Sequence, residues 1–330
     1  MENIKKENDY ILEVRNLKKY YPLSRFSLGK SRAYVKAVDD VSFKIKRGTT
    51  MGLVGESGCG KTTVGRSILR LHDITGGQVI FDGQDLAKIP PSKLRKMRPQ
   101  MQMIFQDPYS SLSPRMPVGE IIGEAVKEHK IVPKSEYRSY ILKVMRDCGL
   151  QPQYFYRYPH EFSGGQRQRI SIARAVALKP KFIICDEPLS ALDVSIQAQI
   201  INLMKDLQER YGYTYLFISH DLSVVEYISD TIGVMYLGSM VEIGDKKRIF
   251  DNPMHPYTKA LLSAVPISDP DVKMNRIILS GDIPSPVNPP SGCKFRTRCQ
   301  HCMDICSREV PKLKEYEEGH MVACHLYSQD

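Results

Sequence analysis

Apolar residues recur along the chain with two different periods. Residues 11–17 alternate apolar and polar, and residues 35–45 do so again, so each reads as a half-buried strand. Polar residues 24–34, which include a glycine, read as the loop between them, and Lys46-Arg47-Gly48 closes the second strand. Met51-Gly52-Leu53-Val54 is a short unbroken apolar run, the pattern of a fully buried strand. Helical patterns follow over residues 63–70 and, with a basic face, 92–97. Residues 76–83 read as a turn and strand, and 101–105 as a strand ending at Gln106. From 118 to 149 the strand signal vanishes, and two helical patterns cover 118–129 and 135–147. A long helix is expected over 166–178, then strands over 181–187 and 215–219. The pattern predicts an α/β core with a small antiparallel β-subdomain before it and a helical insertion inside it.

Chemistry enters where these elements end. Gly55-Glu56-Ser57-Gly58-Cys59-Gly60-Lys61-Thr62 spells G-x-x-x-x-G-K-[ST] between a predicted strand and a predicted helix, the context a phosphate-binding P-loop requires. The glycines let backbone N–H groups converge on one anion, and the helix N-terminus adds its positive end. Lys61 supplies charge for the β- and γ-phosphates, and the Thr62 hydroxyl is placed for Mg²⁺. Ser163-Gly164-Gly165-Gln166 opens the 166–178 helix, a second glycine-preceded helix start and so a second place to receive phosphate. The 181–187 strand closes on Asp186 and Glu187; the first acid suits a Mg²⁺ shell, and the second suits polarising a water. His220 stands at the end of the 215–219 strand. Tyr20 and Tyr21 follow the first strand, where an aromatic ring serves purine stacking or ordinary packing equally well.

Composition narrows the classes. A chain of 330 residues with 42% hydrophobic and 25% charged residues is that of a globular protein with a full core. No apolar run approaches the roughly 20 residues of a membrane span. The first residues lack the apolar centre of a signal peptide, so a cytoplasmic location is expected. The net charge of +10 lies partly in short clusters: Lys44, Lys46 and Arg47; Lys93, Arg95, Lys96 and Arg98; Lys246, Lys247 and Arg248. No nucleic-acid module accompanies them, and solvated surface charge is favoured over a nucleic-acid stripe. Of eight cysteines, Cys59, Cys148 and Cys185 are isolated, and five fall between Cys293 and Cys324. Three readings of that cluster stand side by side: inert thiols; zinc, for which Cys299-x2-Cys302 has the usual spacing; and an iron–sulfur cluster.

Taken together, these residues resemble an ATP-binding-cassette (ABC) ATPase. The order matches over about residues 10–265: P-loop at 55–62, glutamine-loop Gln106, signature Ser163-Gly164-Gly165-Gln166, Walker-B Asp186-Glu187, D-loop Ser190-Ala191-Leu192-Asp193 and switch His220. Three further stretches are similar to the oligopeptide/dipeptide importer subfamily: Asn252-Pro253-Met254-His255-Pro256-Tyr257-Thr258-Lys259-Ala260-Leu261-Leu262, Gly281-Asp282-Ile283-Pro284-Ser285-Pro286 leading into the cysteine-rich end, and the glutamine loop from Phe105 to Pro114.

The resemblance implies a P-loop NTPase fold of ABC type. Residues 1–265 would form the ATPase domain, with the helical insertion at about 107–165, and residues 266–330 a small cysteine-rich segment. It implies ATP and Mg²⁺ as ligands, bound by Gly55, Glu56, Ser57, Gly58, Cys59, Gly60, Lys61, Thr62 and Thr63, with Tyr21 on the adenine. Ser163, Gly164, Gly165 and Gln166 would act on the nucleotide of a facing cassette. Thr62, Gln106 and Asp186 would hold Mg²⁺, and Glu187, His220 and Gln106 would carry catalysis. A [4Fe–4S] cluster on Cys293, Cys299, Cys306 and Cys324 is also implied, with Cys302 spare and zinc as the alternative. The implied partners are a second ATPase subunit, usually a paralogue in a heterodimer, two permeases and, indirectly, an extracellular solute-binding protein, and no nucleic acid. The expected place is the cytoplasmic face of the membrane. Subfamily cargo ranges from peptides to nickel and other small solutes. A soluble, non-transport ABC ATPase is the rival class, and a redox-sensing regulator a weaker third.

Overall fold

The structure is a computed structural model that describes residues 9–23, 33–265 and 276–327. The expected loop at 24–34 therefore lies mostly outside the described residues. In chain order the elements are β1 (Tyr10–Pro22), β2 (Tyr34–Lys46), β3 (Thr50–Val54), α1 (Lys61–Ile68), β4 (Gly76–Phe81), β5 (Gln84–Asp85), α2 (Pro91–Met97), β6 (Met101–Ile104), α3 (Pro108–Ser111), α4 (Val118–Glu128) and α5 (Tyr137–Asp147). Then come α6 (Gly164–Val176), β7 (Phe182–Asp186), α7 (Val194–Tyr211), β8 (Thr214–Ile218), α8 (Leu222–Ile228), β9 (Thr231–Tyr236), β10 (Ser239–Asp245), α9 (Lys246–Asp251), α10 (Pro256–Leu262), α11 (Ile305–Arg308), β11 (Lys314–Glu317) and β12 (His320–Val322).

The chain divides into two compact units. One is built from residues 1–11, 45–49 and 88–218. Its strands β6, β7 and β8 pair in parallel, with Ile184 opposite Met103 on one side and Leu216 on the other. Every residue of β7 and β8 is buried, which is why both appear in the sequence as unbroken apolar runs and not as alternation. Between β6 and β7 the described chain makes only helices, as the missing strand signal over 118–149 predicts.

The other unit is built from residues 12–44, 50–87 and 219–330. It holds the antiparallel sheet β2-β1-β4-β5, the expected β-subdomain with two strands more than the sequence pattern assigns before the P-loop. The β4–β5 hairpin turns on Asp82-Gly83, both at positive φ, the pairing that matches strand twist in a two-residue turn. A second set of strands runs β11-β12-β10-β9-β3, with β3 parallel to β9 and the others antiparallel. The β9–β10 hairpin turns on Leu237-Gly238, again both at positive φ.

The C-terminal stretch joins this unit through β12, whose Val322 pairs with Glu242 of β10. Glu242 is fully buried and fully used. Its carboxylate accepts from His320 Nε2 at 2.8 Å and from the backbone N–H groups of Met254 at 2.7 Å and His255 at 3.0 Å. A buried carboxylate left without such partners would be strongly destabilising. Among the described residues, no helix is long and apolar enough to cross a membrane.

Candidate functional site

In the unit that contains β3, the apolar strand delivers residues 55–60 directly onto α1. Gly55, Gly58 and Gly60 have φ of 149°, 78° and 106°. A Cβ at Gly55 would stand 2.2 Å from the Met235 carbonyl oxygen, and one at Gly60 2.2 Å from that of Ala37. Only glycine fits either place. At Gly58 nothing lies within 4 Å of a Cβ position, so the middle of the loop is open to a ligand. Gly60 is the N-cap of α1, and no side chain caps the helix. An anion seated there meets N–H groups and the positive end of the helix, so the loop fits a phosphate chain. Lys61, 4% exposed, curls back over the loop; its Nζ donates to the carbonyls of Gly55 at 2.7 Å and Glu56 at 3.1 Å. Cys59 is buried beneath it, which raises the thiol pKa and keeps it protonated. His220 is exposed beyond Ser219, whose N–H reaches the Leu53 carbonyl at 3.3 Å. Tyr20 is tied to Asp39 through its hydroxyl, while Tyr21 has Lys19 over its ring at 4.7 Å and His72 edge-on at 6.0 Å.

In the other unit, β7 carries the two acids to its C-terminal end, where open α/β sheets place their ligands. Asp186 is 1% exposed. Glu187 sits at φ 45°, a left-handed conformation that costs a non-glycine residue free energy and that collects at functional sites. Its N–H is held by the Ile218 carbonyl at 3.0 Å, and Gln106 Nε2 donates to its carboxylate at 3.0 Å. Two residues picked out separately in the sequence, 81 positions apart, therefore meet. Ser163 caps α6 with a reciprocal box: its Oγ accepts from Gln166 N–H at 3.4 Å, and the Gln166 side chain accepts from Ser163 N–H at 3.1 Å. A Cβ at Gly165 would stand 2.5 Å from Ile196 Cγ2 of α7, so that glycine is a packing requirement.

The C-terminal cysteines do not form the expected metal group. Cys293, Cys306 and Cys324 are buried, Cys299 is half-buried and Cys302 exposed, all as free thiols. Burial pushes the Cys293 thiol up to about 12 and Cys324 to about 11, and the neighbouring cysteines push both in the same direction. These thiols feel one another, yet among the described residues no three His, Cys, Asp or Glu side chains converge to hold a metal ion. The iron–sulfur and zinc readings gain no support from this arrangement.

Sequence reasoning missed what surrounds Glu56. The Tyr257 hydroxyl accepts its N–H at 2.9 Å, and Arg298 pairs with its carboxylate. The only available signals were that Tyr257 lies in the His-Pro-Tyr-Thr segment and that Arg298 precedes Cys299.

Comparison with known proteins agrees with this geometry. The family described as "ABC transporter" matches residues 38–190, and "Oligopeptide/dipeptide transporter, C-terminal region" matches residues 241–306. The oligopeptide transport ATP-binding protein AppF of Bacillus subtilis is 54% identical over 321 residues, covering 96% of this chain and 98% of that protein. The dipeptide transport ATP-binding protein DppF of Escherichia coli is 50% identical over 320 residues, covering 97% and 95%. Among solved structures, cbiO1 from Clostridium perfringens, part of the ABC transporter complex cbiONQ, aligns with a TM-score of 0.64 at 26% identity, over 74% of this chain and 92% of that one. The ATP-binding cassette MJ0796, solved as a post-hydrolysis dimer with ADP and Pi, aligns with a TM-score of 0.62 at 27% identity, over 71% and 98%.

Proposed function

The chain belongs to the ABC transporter family, and from that premise we propose that it is the ATP-hydrolysing subunit that energises an importer of oligopeptides or dipeptides. The observation that carries the reading is the conjunction, in one chain, of a loop with Gly55, Gly58 and Gly60 all at positive φ and a C-terminal region of the oligopeptide/dipeptide type at 241–306. The cassette would span residues 1–265, with 266–330 as its C-terminal extension.

In this reading Gly55 to Thr63 cradle the triphosphate, Lys61 leaves its two loop carbonyls for the β- and γ-phosphates, and Tyr21 stacks on the adenine. Thr62, Gln106 and Asp186 are the oxygen donors for Mg²⁺, which neutralises phosphate charge when bound. Glu187 orients or deprotonates the attacking water, and the hydrogen bond from Gln106 holds its carboxylate in place before the nucleotide arrives. His220 contacts the γ-phosphate and responds to its loss. Ser163, Gly164, Gly165 and Gln166 serve the nucleotide of a facing ATPase subunit, a paralogue of this one. Closure on ATP and reopening after hydrolysis then drive two permease subunits at the cytoplasmic face of the membrane, supplied by an extracellular binding protein.

Glu187→Gln tests the chemistry. Steady-state hydrolysis should fall roughly 10²–10⁴-fold while ATP affinity stays near wild type. Hydrolysis within twofold of wild type, measured with the partner subunits present, would refute the role of Glu187. Any cluster on Cys293, Cys299, Cys306 and Cys324 takes no part in this cycle. Iron analysis of anaerobically purified protein tests whether one is present. Four irons per chain, lost on Cys299→Ser and kept on Cys302→Ser, is the outcome it requires; zinc without iron overturns it.

A further inference from the structure

Glu56 is the second residue of the phosphate loop, and residues from far along the chain grip it on two sides. Its backbone N–H donates to the Tyr257 hydroxyl at 2.9 Å. Its carboxylate accepts from Arg298 Nη1 at 2.9 Å and 3.1 Å and from Nη2 at 3.1 Å. The Arg298 side chain is 8% exposed and that of Glu56 23%, so this charge-assisted fork lies largely out of water, where it is strongest. The seat of the arginine is aromatic. Its guanidinium carbon lies 6.0 Å from the Tyr236 ring centroid, and Tyr236 packs edge-on against Tyr257 at 4.8 Å and Phe295 at 5.2 Å. The Arg298 N–H is turned back onto the Phe295 carbonyl at 3.0 Å, which fixes the direction of the side chain's backbone.

A carboxylate on a loop that collects phosphates is an electrostatic liability, because like charges a few ångströms apart repel strongly in a partly desolvated site. We propose that Arg298 is a positioning residue for nucleotide binding. It acts through Glu56, shielding the phosphates from that carboxylate and pinning the entry of the loop, while Tyr257 pins the backbone of the same residue. The C-terminal extension is thereby a working part of the phosphate site. The proposal rests on the reading of residues 55–62 as the phosphate cradle.

The experiment measures Mg-ATP affinity of the full-length chain by calorimetry. Arg298→Gln should raise Kd roughly tenfold, the scale of one lost charge-assisted interaction. Arg298→Lys keeps the charge but loses the fork, and should raise it about threefold. Adding Glu56→Gln to Arg298→Gln removes the exposed charge and should bring Kd back toward wild type. A purely structural role for Arg298 predicts no such recovery. Wild-type affinity in Arg298→Gln, or a double variant no better than Arg298→Gln alone, overturns the inference. Should Arg298→Gln not fold, Arg298→Lys decides, and an unchanged Kd refutes the proposal. Lys61→Ala separates the two levels. If it loses ATP while Arg298→Gln binds normally, only this inference falls. If Lys61→Ala binds ATP normally, the phosphate-cradle reading falls.

Discussion

Two helices of this protein begin on glycines, and they begin in opposite ways. α1 is entered through Gly55, Gly58 and Gly60, all at positive φ, and no side chain caps it. α6 is entered through Ser163, its Gly164 and Gly165 have ordinary helical backbone, and its first turn is closed by a capping box with Gln166. The first start uses glycine for conformation and has no side chain on its cap. The second uses glycine for space, with Gly165 against Ile196, and has already found a partner for its cap. A glycine-rich helix N-terminus in a sequence therefore names no single device. For the first to take phosphate, only the Lys61 side chain must leave its bonds to the Gly55 and Glu56 carbonyls; for the second to take one from a facing subunit, Ser163 must exchange its bond to Gln166, 3.4 Å long, for a bond to the newcomer.

The contrast can be broken from the α1 side first. Gly60→Ala forces a Cβ to within 2.2 Å of a backbone oxygen at a φ of 106°, and neither can yield cheaply. The expected cost is about 3 kcal/mol or more of stability, with ATP binding lost, read from urea unfolding and calorimetry. A folded variant with wild-type ATP affinity would remove the conformational argument. Gly165→Ala meets the γ2 methyl of Ile196, a side chain and not backbone, so about 1–2 kcal/mol is expected and this chain's own ATP binding should persist. A loss as large as that of Gly60→Ala would erase the distinction between the two starts. The smallest effect belongs to Ser163→Ala, which removes a long capping bond and should lower stability by about 0.5–1 kcal/mol. Under the proposal that the signature acts on another subunit's nucleotide, ATP affinity of the isolated chain should not change; a weaker affinity would contradict that assignment.

Most elements were legible because their signals are local. The buried strands β3, β7 and β8 announce themselves as apolar runs, and α4 and α5 fall within two residues of the expected ranges. Helix starts shifted by two residues at α1 and α6, since Lys61-Thr62 and Gly164-Gly165 belong to the first turn and not to the preceding loop. The β9–β10 hairpin escaped because its turn is Leu237-Gly238, not the Asn-Gly or Asp-Gly that marks such a turn in a sequence.

What the sequence determined by itself was the glycine loop proposed to hold phosphate. Its spacing is dictated by chain geometry: one strand, one loop and one helix place Gly55 to Thr62 without help from elsewhere. The tertiary structure alone decided how the groups of the proposed site are supported. The contact of Gln106 with Glu187 spans 81 positions, that of Tyr257 with Glu56 spans 201, and that of Arg298 with Glu56 spans 242. It also decided that the C-terminal thiols face burial and one another without gathering into a metal group. Short-range order is set by backbone propensity and periodicity, which a sequence displays residue by residue. A hydrogen bond between residues hundreds of positions apart exists only once the intervening chain has packed, and no local pattern encodes that distance.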